Sequence, residues 1–311
     1  MPPSTPSRRS PLLAPFCSET SRDLTEPLTA TASHVEEWLL VEWPGAWGRH
    51  ALTESDLPAH LVDPLVAFDH RPRAKAVLVR RGVREAPGRT TPPLVVRARS
   101  TVRDERLSRS SLGGPDGRTL DPAHLGQPPP GAGRDERFLV VCTNGRHDAC
   151  CANEGRPLVR ALRSRGMDPV WECSHIGGDR FAANVVLLPN GCYFGRVTLQ
   201  DLDGFLAELD AGRLPLAHYR GRSALPPPAQ AVEIAVRAET GERGIDALAG
   251  WRRERLAGDR WAVEVDLGGS RYRAEVTATT DPPPRLLTCH SSANEAPRRF
   301  VVGEIDRIAG S

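Results

Sequence analysis

Short apolar runs bounded by proline and glycine recur along the first third of the chain. They cover residues 38–43, 75–80 and 94–97, and runs of this length predict β-strands. Between the first two runs, residues 57–68 have a helical pattern despite two prolines. The order predicts a strand–helix–strand unit of an α/β fold.

The segment that begins near residue 137 has a similar pattern and adds a hairpin. Its predicted elements are, in order, a strand over 137–141, a helix over 155–165, a strand over 170–173, a hairpin over 184–197 and an amphipathic helix over 199–209. The Asn190-Gly191 step is the turn signal of the hairpin. This order of elements is that of a thioredoxin-like unit.

The last part of the chain predicts a mixed extension. Its predicted elements are a helix over 229–239, a second helix over 245–252 and a hairpin over 261–276, in which apolar and polar residues alternate across Gly268-Gly269. Two segments lack such patterns. Residues 1–25 are rich in Ser, Pro, Thr and Arg, and residues 108–134 are dense in Gly and Pro.

These patterns divide the chain into five parts. They are a disordered arm (1–25), an N-terminal α/β domain (26–107), a linker or long loop (108–135), a thioredoxin-like domain (136–225) and a C-terminal helix and β-hairpin extension (226–311). The N-terminal domain is expected to be a second, degenerate thioredoxin-like unit, because residues 33–99 contain no cysteine.

Composition narrows the functional classes. The 41 basic and 39 acidic residues are spread along the chain and leave a net charge of only +2, so binding to nucleic acid or to an anionic membrane is not expected. No apolar stretch approaches the ~20 residues of a membrane span. Four of the seven cysteines crowd into residues 142–173, which favours a metal or redox site in a reducing compartment over a disulfide framework. A cytoplasmic location is therefore expected.

The cysteines that carry this chemistry follow a predicted strand. Cys142 and Cys151 are separated by eight residues, and a second pair of potential ligands, His175 and Asp179, is separated by three. The second pair follows the strand that ends at Cys173. This layout is typical of a metal or iron–sulfur centre that is assembled from two loops.

With these loops the chain resembles the sucrase/ferredoxin-like family, and the likeness extends to residues 26–28, 38–42, 47–48 and 80–82. The resemblance implies a thioredoxin-like [2Fe-2S] ferredoxin. It assigns Cys142, Cys151 and His175 directly as cluster ligands. Asp179 is assigned only by position, because family members with a bis-histidinyl site have a second histidine there.

The fourth ligand therefore has several candidates. Asp179 is favoured by position and Cys173 by chemistry, while Cys150 and His147 lie in the same two loops. Ligation by Asp179 would give the oxidised site a charge of −1, since two thiolates neutralise the 2+ core. We expect a potential between those of bis-histidine and all-cysteine centres, and one that falls as pH rises because a histidine ligand titrates.

The sequence thus predicts a protein that transfers electrons to or from a redox protein and has no substrate pocket of its own. Two other classes compete with it. One is a thiol–disulfide enzyme that uses Cys142, Cys150 or Cys151. The other is a structural zinc site of Cys142, Cys151, Cys173 and His175. Cys192 and Cys289 are expected to be small buried hydrophobic residues.

Overall fold

The computed structural model describes residues 15–81, 94–111, 137–167 and 170–308. The elements of the first half are α1 (Cys17–Asp23), β1 (Glu37–Glu42), α2 (Ala51–Glu54), α3 (Ala59–Asp69), β2 (Ala74–Arg80), β3 (Leu94–Ser100) and β4 (Glu105–Ser111). Strand β1 pairs parallel to β2 on one side and antiparallel to β3 on the other, and β3 pairs antiparallel to β4. The predicted strand–helix–strand unit is confirmed, and a hairpin follows it.

The second half repeats this arrangement. Its elements are β5 (Phe138–Cys142), α4 (Ala149–Ser164), β6 (Val170–Cys173), β7 (Val185–Leu188), β8 (Cys192–Phe194), α5 (Leu202–Asp210) and β9 (Tyr219–Arg222). Strand β5 pairs parallel to β6 and antiparallel to β7, which pairs antiparallel to β8. The predicted thioredoxin-like unit is confirmed. The strand order of the first half, β2-β1-β3-β4, matches β6-β5-β7-β8, as expected for a degenerate copy.

One antiparallel pair joins the two units. Strands β2 and β6 pair edge to edge, so nine strands form a single sheet in the order β4-β3-β1-β2-β6-β5-β7-β8-β9. Leu40 and Val79 of the first unit and Val140 and Cys173 of the second are buried in the same apolar cluster. Strands that are buried on both faces read as continuous apolar runs, which explains why these runs do not alternate with polar residues.

The two end strands of this sheet meet through buried charges. Glu105 of β4 accepts a hydrogen bond from the guanidinium of Arg222 of β9 at 2.6 Å, and both side chains are 2% exposed. The amide of Asn190, in the β7–β8 turn, donates to the same carboxylate at 2.6 Å. The sheet is therefore curled, and this ion pair holds its ends together.

The C-terminal part forms a second sheet. It consists of α6 (Pro227–Thr240) and the antiparallel strands β10 (Leu248–Arg255), β11 (Arg260–Leu267), β12 (Ser270–Thr280) and β13 (Arg298–Ile308). The hairpin predicted over 261–276 is confirmed by the pairing of β11 with β12. The helix predicted over 245–252 is wrong, because only residues 245–247 form a 3₁₀ turn and β10 pairs along the edge of β11. Leu248 and Gly250 alternate there with the exposed Ala249, the period of a strand.

Two segments differ from the unpatterned parts that the sequence predicts. Within the predicted arm, residues 17–23 form helix α1, whose Cys17, Ser18 and Ser21 are buried. Its polar side chains find fixed partners, since the Ser21 hydroxyl donates to Glu26 at 2.8 Å. Residues 108–111 of the predicted linker belong to β4, whereas residues 1–14 and 112–135 lie outside the described residues. Within the described ranges, no helix is long and apolar enough to cross a membrane.

Glu105→Ala tests the ion pair at the ends of the sheet. Removing one partner of a buried pair leaves the other charge uncompensated, so we expect the free energy of unfolding to fall by about 3–5 kcal/mol. Asp259→Ala is the control, because it removes an ion pair with Arg298 in which both side chains are at least 60% exposed. That change should cost less than about 1 kcal/mol. Equal losses in urea denaturation would contradict a special role for Glu105.

Candidate metal centre

The two cysteines of the first loop approach each other because a helix begins close to a strand end. Cys142 is the last residue of β5, and Cys151 lies in the first turn of α4. A Cβ on Gly155 would lie 2.1 Å from the carbonyl oxygen of Cys142, so only glycine permits this approach of helix and strand. Asp148 begins the helix, and its carboxylate accepts the N–H of Cys150 at 2.9 Å. Cys151 is thus held on a helix and not on the predicted loop.

The second ligand segment is folded around a buried guanidinium. Arg220 donates to the carbonyl oxygen of Gly177 at 3.1 Å and to Oδ1 of Asn184 at 2.7 Å. Gly177 and Gly178 both have positive φ angles, and a Cβ on Gly178 would lie 2.3 Å from Arg220. These contacts close the loop between β6 and the 3₁₀ turn that begins at Asp179. Both glycines are therefore required by backbone conformation or by space.

The predicted ligands converge at the end of these two segments. The donor atoms of Cys142, Cys151 and His175 all lie within 4.8 Å of one another. Asp179 is buried beside them, with Oδ1 2.9 Å from Nδ1 of His175 and 3.2 Å from Sγ of Cys151. The structure thus places all four predicted residues in one contiguous group of two thiols, one imidazole and one carboxylate.

His147 adds a second imidazole at the open side of this group. Its ring stacks on that of His175 with centroids 3.6 Å apart, and its Nε2 lies 3.6 Å from Oδ2 of Asp179. Its Nδ1 is 3.1 Å from the carbonyl oxygen of Arg49. His147, His175 and Asp179 therefore form a second possible set of ligands, which shares His175 with the set of Cys142, Cys151 and His175.

The charges in the group favour the thiolate form of Cys142, whereas the hydrogen bond to Cys142, together with burial, raises the pKa of Cys151 well above its usual value. A hydrogen bond from Cys151, together with contact to His175, lowers the pKa of Cys142 to about 6, although burial opposes this change. Burial lowers the pKa of His175, but Asp179 and Cys142 outweigh it and raise this pKa to about 9. Burial also opposes ionisation of Asp179, yet His175 and His147 keep its pKa below the usual value. A thiolate, an imidazolium and a carboxylate are thus gathered in a buried place at neutral pH.

One atom of this group lacks the partner that its burial requires. Nδ1 of His175 is buried and lies 2.9 Å from Oδ1 of Asp179, but within the described residues it makes no aligned hydrogen bond. Thiolate, neutral imidazole and carboxylate are all ligands of iron and zinc, so binding an ion here would release the protons of the His175 imidazolium and of the Cys151 thiol. The donor set therefore fits a bound metal centre.

The remaining cysteines of the predicted region occupy other places. Cys173 is buried next to Cys142 in the β5–β6 register, but it is outside the ligand groups of the described residues. Burial raises its pKa well above the usual value, so its thiol stays protonated. The thiol of Cys150 lies in a separate group with Cys17, Asp148 and Cys289.

The prediction for the two outlying cysteines is half right. Cys192 is fully buried in an apolar cluster of the second unit, as expected for a small hydrophobic residue. Cys289 is partly exposed, and its Sγ lies 3.4 Å from that of Cys150, so the prediction of a buried hydrophobic role is wrong for this residue. Its polar neighbours in Thr288-Cys289-His290-Ser291 are a sequence signal that it does not lie in an apolar strand.

Comparison with solved structures finds two cysteine-to-serine variants of the thioredoxin-like [2Fe-2S] ferredoxin from Aquifex aeolicus. Each is 18% identical to this chain, and the alignment covers 28% of this chain and 100% of the ferredoxin, with TM-scores of 0.26 and 0.25. Comparison with curated proteins finds no match.

A family-wide comparison covers a much larger share of the sequence. The sequence profile named sucrase/ferredoxin-like matches residues 28–221, which include both thioredoxin-like units and all four predicted ligands. The match extends over more than half of the 311 residues. The chain therefore belongs to the sucrase/ferredoxin-like family.

Proposed function

We propose that this protein transfers electrons through one [2Fe-2S] cluster held by Cys142, Cys151, His175 and Asp179. The observation that carries the proposal is the buried convergence of two thiols, one of low pKa, with an imidazole whose Nδ1 lacks an aligned hydrogen bond. A bound cluster of this kind supplies one-electron transfer, and mixed ligation by thiolate and imidazole is known for [2Fe-2S] centres.

Asp179 is the proposed fourth ligand because of its position within the group. Its Oδ1 is close to both His175 and Cys151, while its Oδ2 faces His147. Cys173 has less support, since its Sγ is outside all the ligand groups of the described residues. His147 is the alternative, because its Nε2 lies 3.6 Å from Oδ2 of Asp179 and it forms a possible ligand set with His175 and Asp179.

The two competing functions are less well supported by the same geometry. A thiol–disulfide enzyme is favoured by the low pKa of Cys142, but reactive cysteines are partly exposed, whereas Cys142 and Cys151 are each 1% exposed. The zinc site with Cys173 as its third thiolate would require Cys173 to join a group of donors from which it stands apart in the described residues. Electron transfer needs no substrate at the sulfur atoms, so burial does not hinder it.

The imidazoles form the side of the site that faces solvent. His147 and His175 line a cleft together with Arg49, His50 and Lys75. The thiols of Cys142, in β5, and of Cys151, in α4, are each 1% exposed, so the protein excludes water from them. A redox protein that donates or accepts the electron is therefore proposed to dock over the histidines, and the cationic residues would favour a partner with an acidic face.

Anaerobic purification tests the cluster directly. We expect visible absorption, about two irons and two labile sulfides per chain, and an EPR signal after reduction by dithionite. Cys142→Ala and Cys151→Ala should each lose most of the iron and sulfide, because each removes a thiolate ligand. Cys192→Ala is the matched control. It removes a buried free cysteine of the apolar core, away from the proposed ligands, and should retain both iron and sulfide. Colourless wild-type protein would overturn the proposal.

Substitutions at Asp179 test the fourth ligand. Asp179→His should keep the cluster and raise its reduction potential on the order of 100 mV, because a neutral ligand replaces a negative one and the two ligand classes differ in this direction. Asp179→Ala should lower the iron content, whereas His147→Ala should leave it near the wild-type level. Protein-film voltammetry and iron analysis measure these effects. A cluster lost in His147→Ala but kept in Asp179→Ala would assign the ligand to His147.

A further inference from the structure

Three cysteines that are remote in the sequence meet outside the proposed cluster site. The Sγ atoms of Cys17 and Cys150 are 3.6 Å apart, those of Cys150 and Cys289 are 3.4 Å apart, and those of Cys289 and Cys17 are 3.5 Å apart. They come from helix α1, from the first turn of α4 and from the segment between β12 and β13. The three thiols therefore form a nearly equilateral triangle.

A buried carboxylate faces the same triangle. Asp148 is 0% exposed, and its two oxygens lie 3.9 and 3.7 Å from Sγ of Cys17. One oxygen accepts the backbone N–H of Cys150 at 2.9 Å, and the other accepts the N–H of Cys289 at 2.7 Å. The carboxylate thus fixes the backbone of two of the three cysteines and directs its remaining lone pairs toward the thiols.

These separations match one tetrahedral zinc ion. With Zn–S bonds of about 2.3 Å, two thiolates on the same ion lie about 3.8 Å apart, and a carboxylate oxygen lies about 3.5 Å from each sulfur. A disulfide needs an S–S distance of about 2.05 Å and uses only two of the three cysteines. A triangle of three thiols with a carboxylate is the more complete match, because a single metal ion uses every member.

We propose that Cys17, Cys150, Cys289 and Asp148 bind one structural zinc ion. Three thiolates and one carboxylate oxygen would fill all four coordination positions of the zinc ion, as in structural zinc sites, and leave no position for a substrate. The ion would join the N-terminal helix and the C-terminal segment to the thioredoxin-like unit. The zinc proposal does not depend on the proposed [2Fe-2S] cluster, because the cluster ligands are different residues.

Contacts around the triangle hold the cysteines in place without the metal. Glu26, which follows α1, accepts hydrogen bonds from Ser21 at 2.8 Å and from Arg285 at 3.1 Å. Arg285 belongs to the same segment as Cys289, so a buried ion pair already ties that segment to the end of α1. The backbone N–H of Cys17 also points at Sγ of Cys289 at 3.4 Å. Such N–H groups around the sulfurs orient and stabilise metal-bound thiolates.

Metal analysis of the full chain, purified without oxygen, tests the proposal. We expect about one zinc per chain in the wild-type protein, in addition to any iron, and a zinc X-ray absorption spectrum with three sulfurs near 2.3 Å and one oxygen near 2.0 Å. Cys17→Ala and Cys289→Ala should each reduce the zinc to a small fraction of the wild-type content while iron and sulfide remain. Asp148→Asn keeps the helix cap through its amide oxygen but removes the charge and the acceptor of the Cys289 N–H, and should weaken zinc retention against a chelator by about 10-fold or more.

The same samples separate this proposal from the proposed function. Cys142→Ala should lose iron and keep zinc, and Cys192→Ala should keep both metals. Wild-type protein that lacks zinc, or in which mass spectrometry finds a disulfide among Cys17, Cys150 and Cys289, would overturn the zinc proposal alone. Zinc that is lost in Cys142→Ala but kept in Cys17→Ala would place the ion in the other site and overturn both proposals. If the variants do not fold, the zinc X-ray absorption spectrum of the wild-type protein decides. A zinc coordination shell with fewer than three sulfurs would contradict the proposed site.

Discussion

The antiparallel pairing of β2 with β6 is the contact on which the arrangement of the candidate site depends. It joins two units of the same strand order into one sheet and brings the N-terminal unit against the segment that follows Cys173. Ser174 donates its N–H to Leu78 at 2.8 Å, and its hydroxyl oxygen accepts the N–H of Leu78 at 3.0 Å. The loop after β1 also reaches the site, since Gly48 accepts a hydrogen bond from Asn144 at 3.0 Å. The unit without cysteine ligands thus helps to position the ligands of the other unit.

Desolvation explains why so many charged groups are paired around the site. A buried ion is costly unless another charge or several hydrogen bonds compensate it. Arg220 is fully buried and donates to the carbonyl oxygen of Gly177, while Asp179 is offset by the two histidines. Cys142 is then free to ionise, because the neighbouring groups favour its thiolate more than burial opposes it. The protein environment therefore prepares a negative ligand set, which a cationic core would neutralise.

The sequence predicts those parts of the fold that depend on local pattern and on strand order. The apolar runs and the Asn190-Gly191 turn predict the strands of the second unit. Because parallel strands end at the same edge of a sheet, the pattern also predicts that the two ligand segments lie close together. Contacts between remote segments were not predictable in this way. Cys17, Cys150 and Cys289 meet only because α1 and the C-terminal segment fold back onto α4. The apolar pattern of residues 245–252 predicts a helix, but β10 forms there instead because pairing with β11 outweighs an ambiguous local pattern.

The vicinal pair Cys150-Cys151 connects the two cysteine groups through one helical turn. Successive residues of an α-helix point in directions that differ by about 100°, so neighbouring side chains cannot face the same site. Cys151 accordingly meets Cys142 and Asp179, whereas Cys150 meets Cys17 and Cys289. The two adjacent cysteines therefore contribute to two different groups, and this role needs no disulfide bond between them. An ion held by Cys150 would fix the first turn of α4, and the position of Cys151 would follow from the same rigid turn.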